Sequence, residues 1–247
     1  MEVLTEFADN VLVVTLNRPE AGNSLNGALS SALHAALTDA GDNPEVRAII
    51  LTGAGEKTFC AGMDLKAFAA GEDLAKIGLG FAALRECKKP IIAAVNGHAL
   101  AGGFEVVMGC DLIVSVDTAR FGIPEVKRGL FAAGGGVRLP ARVPLAVALE
   151  MGLTGDPIDA HRAATLGLIN QVVPAADLMT AARTMAARVT ANGPLAVQAT
   201  KQLMLAEIGD GNGKLMGELQ RTVFSSEDAK EGAIAFAQKR APEWKGR

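Results

Sequence analysis

The chain has 247 residues, is 49% hydrophobic and 4% aromatic, and contains no Tyr. With 24 basic and 27 acidic residues its net charge is −3, and no dense Lys/Arg run marks it as a nucleic-acid binder. The longest apolar runs, such as Ile91–Val95, fall far short of a membrane span, and the apolar fraction is too high for a disordered chain.

The length suits one large domain, or one domain with a smaller appendage. The first residues, with Glu2 and Glu6, show no charged-then-apolar leader. Cys60, Cys87 and Cys110 lie far apart, with no C-x-x-C spacing and no neighbouring His to complete a metal set. The expectation is a reduced, cytoplasmic protein without a metal site.

In chain order, Val11–Leu16 reads as a strand ending at the turn Asn17-Arg18-Pro19, with residues 5–7 as its hairpin partner. Residues 24–40 have helical periodicity, with Leu29, Leu33, Ala36 and Leu37 on one face and Ser24 or Asn26 as the cap. Residues 48–52, Ile91–Val95 and Leu112–Val116 are short apolar strands, and 101–109 reads as a short buried helix. Strands alternating with helices predict an α/β architecture with parallel pairing. Beyond about residue 140 the pattern turns helical: 145–153, 159–167, 175–190 and 194–208, then a Gly-rich joint at 209–213 and helices at 215–224 and 227–239.

Three segments carry potential chemistry. Residues 58–66 (Thr-Phe-Cys-Ala-Gly-Met-Asp-Leu-Lys) follow a strand through a Gly-containing loop, where small residues let backbone amides approach a ligand. Residues 96–105 leave a strand, turn through Gly and Ala, and open a helix whose first N–H groups lack partners and could stabilise an oxyanion. Glu105 falls one turn beyond Gly102, on the same face. Residues 121–126 bring a second carboxylate, Glu125, on a Pro-fixed turn, followed by Gly134-Gly135-Gly136. Two amides and two carboxylates form a coherent set if the surroundings split the carboxyl pKa values.

These segments resemble the crotonase (enoyl-CoA hydratase/isomerase) superfamily. The likeness rests on residues 51–57, Phe59 through Lys66, Pro90 through Asn96-Gly97, Gly102-Gly103-Phe104-Glu105, Phe121-Gly122-Ile123-Pro124-Glu125, Gly135-Gly136 and Phe236-Ala237-Gln238-Lys239-Arg240, in order over nearly the whole chain. It implies a spiral of repeated ββα units over 1–190 and a helical trimerisation region over 191–247. It implies an oxyanion hole from the amides of Met63 and Gly102, with Glu105 activating water for C3 and Glu125 exchanging the proton at C2. Backbone at Ala61, Asp64 and Leu65 would hold the CoA adenine, and Lys66 and Lys239 would approach CoA. The implied partners are an acyl-CoA thioester and further copies of the chain, as a trimer or hexamer. CoA enters with the substrate, and no separate cofactor is implied. The pairing Gly103-Phe104-Glu105 and the ending Arg240-Ala241-Pro242-Glu243-Trp244 resemble the carnitinyl-CoA dehydratase branch. Residues 67–85 would line the acyl pocket, where their small residues admit many shapes, and one departure bears on its shape: many relatives carry Pro where this chain has Phe131 or Ala132.

Simpler roles remain open for several residues. Asp64 could be a structural loop acid, His98 a packed turn residue, and Cys60 a small buried thiol. A nicotinamide site fails, because Thr58 stands where the third Gly of a G-x-G-x-x-G starting at Gly53 would fall. A serine hydrolase lacks its G-x-S-x-G elbow. A non-catalytic acyl-CoA binder is disfavoured by retention of both glutamates.

Overall fold

In the computed structural model, which describes residues 1–128, 130–209, 222, 226–228, 231, 235, 238 and 240–247, Val3–Ala8 (β1) and Val11–Leu16 (β2) pair antiparallel with Ala8 opposite Val11. Their two-residue loop puts Asp9 and Asn10 at φ 52° and 61°, the left-handed conformation that a tight hairpin requires and that Asp and Asn tolerate. β2 runs parallel to β3 (Ala48–Gly53), β3 to β5 (Ile91–Val95), β5 to β7 (Leu112–Val116) and β7 to β10 (Gln171–Val173). The six-stranded sheet therefore has the order β1-β2-β3-β5-β7-β10. β3 and β5 are buried throughout, as unbroken apolar strands covered on both faces must be. Part of that cover is α7 (Leu178–Thr190), which packs on β3, β5 and β7 and buries Leu178, Ala182 and Ala186.

A second sheet grows out of the crossings. β4 (Thr58–Cys60), β6 (His98–Leu100) and β8 (Arg120–Gly122) lie side by side in parallel, and β9 (Ile158–Asp159) adds antiparallel to β8. Three times the chain makes a strand of the large sheet, a short strand of the small sheet, and then helix. β3 and β4 precede α2 (Leu65–Ala69) and α3 (Leu74–Glu86); β5 and β6 precede α4 (Gly102–Met108). β7 and β8 precede the 3-10 turns Pro124–Arg128 and Gly136–Ala141 and α5 (Leu145–Thr154). This is the α/β spiral that the resemblance implies.

Helix α1 (Gly27–Asp42) starts at Asn26, whose Oδ1 accepts the Leu29 N–H at 2.8 Å. Ser24 is not the cap: its hydroxyl donates to the Ala21 carbonyl. The expected strand at residues 5–7 is longer than its pattern shows, because pairing with β2 decides its ends. The small-sheet strands escape sequence reading, since none exceeds three residues and periodicity has nothing to repeat over. The change to helix also comes later than residue 140, with β9 and β10 (158–159 and 171–173) still joining the sheets.

α6 (Ala160–Thr165), α7 and α8 (Pro194–Gly209) fall where helices are expected. Residues 222, 227, 228, 231, 235 and 238 are helical; the remainder of the expected helices 215–224 and 227–239, and the joint at 210–213, lie outside the described residues. The last residues return to the core. Trp244 Nε1 donates to the Ala191 carbonyl (2.8 Å), Arg47 Nη2 donates to the Trp244 carbonyl (2.8 Å), and Asp228 accepts the N–H groups of Lys245 and Gly246 (2.7 and 2.9 Å). No described helix is long and apolar enough to cross a membrane.

The tightest joint between α4 and the small sheet is Gly103, where an added Cβ would overlap the Cys60 carbonyl oxygen and lie 2.8 Å from Cys60 Cβ. Gly103→Ala is expected to lower the thermal midpoint by roughly 5–10 °C or more, by forced separation of backbone. Gly78→Ala on α3, with nothing within 4 Å of its added Cβ, should leave the midpoint unchanged or raise it. Thermal unfolding followed by circular dichroism checks both.

Candidate active site

The parallel strands β4, β6 and β8 bring their carboxyl ends to one edge of the small sheet, spaced about 5 Å apart by ladder hydrogen bonding. The three segments singled out in the sequence leave from these three ends. Tertiary structure thus joins stretches about 40 and 20 residues apart into one site.

The first exit is fixed by an isolated parallel bridge between Leu25 and Met63. The Leu25 N–H donates to the Gly62 carbonyl at 2.7 Å, and the Asp64 N–H donates to the Leu25 carbonyl at 2.9 Å. Successive N–H groups of an extended run point to opposite sides, so the Met63 N–H faces away from Leu25. It lies beside Gly102: a Cβ added to Gly102 would sit 3.5 Å from Met63 N, and one added to Gly62 would sit 3.0 Å from Gly102 N. The second exit turns through Ala101 at φ 51° and ψ −132°. Such strain costs about 1–3 kcal/mol in an L-residue. Here the Ala101 N–H is held by the Gly122 carbonyl at 2.9 Å. The amide of Gly102 then precedes the first intrahelical bond of α4. Met63 and Gly102 therefore present two adjacent backbone donors.

Glu105 is 6% exposed. Its Oε1 accepts the Gly136 N–H at 2.7 Å, and a Cβ added to Gly134 would lie 2.7 Å from its Oε2. Burial pushes its carboxyl above the usual range, and the N–H groups of Gly136, Gly135 and Gly134 only partly offset that. Glu125 sits on the 3-10 turn that follows β8. Burial also pushes its carboxyl up, a bond to its own backbone N–H pulls it back, and the charge of Glu105 raises it further. Its Oε2 is buried without a hydrogen-bond partner. The two carboxyls titrate as a coupled pair. Backbone donors favour the anion at Glu105, while an orphaned oxygen favours the acid at Glu125. The arrangement sets two carboxyls of different surroundings near two adjacent backbone amides.

Around this centre, Ala61 on the loop after β4 and Leu65 and Lys66 at the start of α2 are exposed. Asp64 is committed internally: Oδ1 accepts the N–H groups of Lys66 and Ala67 at the start of α2, and Oδ2 meets Arg18 Nη2 at 3.1 Å. Burial raises its carboxyl, but the bonds from Ala67, Arg18 and Lys66 outweigh burial and hold it below the usual range. Lys239 lies outside the described residues. His98 is exposed rather than packed, its N–H bonded to the Lys57 carbonyl. Cys60 is buried, its thiol pushed up to about 12 by burial, which makes it unreactive. No three His, Cys, Asp or Glu side chains gather as a metal-ligand cluster among the described residues.

Sequence reading missed two contributors and gave a third only as part of a stretch. Arg18 reads only as part of a turn, yet Nη1 donates to the Ser24 carbonyl (2.7 Å) while Nη2 holds Asp64, bracketing the Leu25–Met63 bridge. Asn23 is fully buried at φ 54° and donates to the Ala54 and Thr58 carbonyls (2.9 and 3.0 Å) while accepting the Arg18 N–H. Phe81 on α3, within the stretch 67–85 expected to line the acyl pocket, lies close to both Gly102 and Gly134.

Comparison with known proteins agrees with this geometry. The model of the enoyl-CoA hydratase/isomerase family matches residues 6–247. A carnitinyl-CoA dehydratase from Proteus mirabilis is 45% identical, over 96% of this chain and 96% of the relative. The crystal structure of an enoyl-CoA hydratase from Mycobacterium tuberculosis is 49% identical with a TM-score of 0.93, covering 100% of this chain and 99% of that one. That of a carnitinyl-CoA hydratase from Mycobacterium avium is 45% identical with a TM-score of 0.80, at 100% and 99% coverage. By fold, family match and relatives, the chain belongs to the enoyl-CoA hydratase/isomerase family of the crotonase superfamily.

Proposed function

We propose that this enzyme catalyses the reversible syn addition of water to a trans-2-enoyl-CoA thioester. One observation carries the reading: a cradled carboxylate and an orphaned one lie together where two backbone amides converge. The thioester oxygen accepts the N–H groups of Met63 and Gly102. Glu105 takes a proton from water as the water oxygen bonds to C3. The C2=C3 electrons move onto the thioester oxygen, and the enolate is held by the two amides. Glu125 then gives its proton to C2 as the carbonyl re-forms, and one proton passing from Glu105 back to Glu125 restores the pair. Loss of one such amide donor typically costs about 2.7–4 kcal/mol of barrier.

Backbone at Ala61, Asp64 and Leu65 would meet the CoA adenine, with Lys66 near the phosphates and Lys239 supplied by a neighbouring subunit. CoA arrives with the substrate and no other cofactor takes part. A place in fatty-acid breakdown in the cytoplasm fits this chemistry and three free, buried thiols. The 45% identity to proteins named carnitinyl-CoA dehydratase favours a second substrate, a 3-hydroxyacyl thioester that loses water by the same steps in reverse. Isomerisation within the same family remains the lesser reading, because both glutamates are present.

Residues 191–247 are assigned to assembly as a trimer or hexamer. Met204 and Leu205 on α8 are exposed, but the longer apolar row is on α5, where Leu145, Leu149 and Leu153 are 60%, 47% and 74% exposed at helical spacing. We assign that row to the same contact. Leu149→Glu should shift the mass measured by light scattering from a multiple of the chain to a smaller species.

The activity test follows loss of enoyl-thioester absorbance with crotonyl-CoA, with carnitinyl-CoA dehydration run beside it. Glu105→Gln and Glu125→Gln should each lower kcat by roughly 10²–10⁴ while retaining acyl-CoA binding. Near-normal turnover in either variant removes that residue from the mechanism.

The raised carboxyl values have a stability signature. The folded state holds the Glu125 proton more tightly than the unfolded chain does. Its contribution is therefore greatest in acid and is lost as pH rises from the ordinary glutamic-acid value through the raised one. Glu125→Gln should raise the midpoint at pH 8 by roughly 2–4 °C, the equivalent of about 1 kcal/mol in a chain of this size. The gain should vanish below the ordinary carboxyl range.

A further inference from the structure

We propose that Arg18 is a positioning residue for the oxyanion hole, acting on the Met63 amide through a relay of two peptide groups. The inference rests on the hydratase reading and adds a residue to its machinery. Arg18 Nη1 donates to the Ser24 carbonyl at 2.7 Å. That carbonyl shares a peptide unit with the Leu25 N–H, which donates to the Gly62 carbonyl at 2.7 Å. The Gly62 carbonyl in turn shares its peptide unit with the Met63 N–H. Both peptide bonds are trans, and a trans peptide is planar, with its C=O and N–H pointing in opposite directions. Holding the carbonyl therefore fixes the direction of the N–H at each step. The relay runs from the guanidinium through two peptides and ends at the Met63 amide beside Gly102.

The Met63 side of this relay needs outside support. Leu25–Met63 is an isolated bridge, flanked by a bond from the Ala61 N–H to the Gly22 carbonyl at 2.9 Å but by no strand. Arg18 steadies the other end from a single group. While Nη1 holds Ser24, Nη2 meets Asp64 Oδ2 at 3.1 Å. Ser24 precedes Leu25 and Asp64 follows Met63, so one rigid fork spans both sides of the bridge. The fork is itself fixed. The Arg18 N–H donates to Asn23 Oδ1 at 2.9 Å, the Asn23 N–H donates to the Arg18 carbonyl at 2.8 Å, and Nε lies 3.3 Å from Glu2 Oε2. The relay is buried: Ser24 is 8% exposed, Leu25 1%, and Gly62 is enclosed. In such surroundings hydrogen bonds in series polarise one another, and a charged donor at the head strengthens the first of them. The Asp64 and Glu2 carboxylates offset much of that charge, so direction is the larger effect.

The test compares the natural chain with Arg18→Met, which removes every guanidinium donor, and Arg18→Lys, which keeps one charged donor but not the fork. Crotonyl-CoA hydration gives kcat and KM per folded molecule. Isotope-edited infrared spectra give the C=O stretch of bound butyryl-CoA labelled at C1, a frequency that falls as the carbonyl accepts stronger hydrogen bonds. In Arg18→Met, kcat should fall at least roughly tenfold, short of the roughly 10²–10³ lost with a whole oxyanion donor. KM should change by less than roughly threefold. The bound stretch should move back toward that of free butyryl-CoA. Arg18→Lys should lie between the other two on both readings, and it carries the test if Arg18→Met folds poorly. An unchanged kcat or an unchanged stretch in both variants overturns the proposal, as does a loss carried by KM alone. A lower thermal midpoint with both readings unchanged makes Arg18 purely structural and overturns it too. Failure of the natural chain to hydrate any enoyl-CoA would instead sink the hydratase reading.

Discussion

Three parallel strands of three residues each, hydrogen-bonded side by side, are the constraint from which the site follows. Ladder spacing sets their exits about 5 Å apart, close enough for groups from three loops to reach one small substrate. That closeness leaves no space for side chains at the crossings. Gly62 sits at φ 98° with Ala101 Cβ 2.7 Å from where its own Cβ would be, and Ala101 itself takes a strained left-handed turn. The strain is held by bonds from outside: the Gly122 carbonyl on Ala101, and Arg18 and Asn23 on the loops around Met63. The large sheet supplies the rigid platform, since each short strand is the continuation of a fully packed long one.

Electrostatics then decide what these groups do. Two carboxyls placed together away from water destabilise the fold, and neither would persist there for packing alone. Their surroundings differ in one respect. Glu105 faces a run of backbone N–H groups, whereas one oxygen of Glu125 faces none. Backbone donors need no counter-ion and bring no titration of their own, so at Glu105 they offset burial without adding a charge. The glycine run does this only because its members lack side chains: a Cβ on Gly136 would collide with Ala132 Cβ. Ala132 is buried against the residue that donates to Glu105, so its size bears on that cradle.

Residues 61–66 show a division of labour within one short stretch. Ala61, Leu65 and Lys66 are open, while Asp64 between them is turned inward, capping α2 and gripping Arg18. Its pairing with Arg18 holds the loop in the shape that aims the Met63 amide. Both carboxylate oxygens of Asp64 are engaged within the chain, Oδ1 by the N–H groups of Lys66 and Ala67 and Oδ2 by Arg18.

Much of this was legible in the sequence. The long strands announce themselves as apolar runs, because burial on both faces leaves no polar alternation. The main helices announce themselves by period, and Glu105 and Glu125 stand out as carboxylates set among glycine and apolar residues. The small sheet was not legible, because three residues are too few for a pattern and its strands exist only through pairing across 20 to 40 residues of chain. Arg18 and Asn23 were hidden for the same reason: each acts through partners remote in sequence. The sequence alone determined the fold class and the chemical groups available. Tertiary structure decided which amides lie side by side and how differently the two carboxyls are surrounded, because those depend on distance and desolvation, which no local pattern encodes.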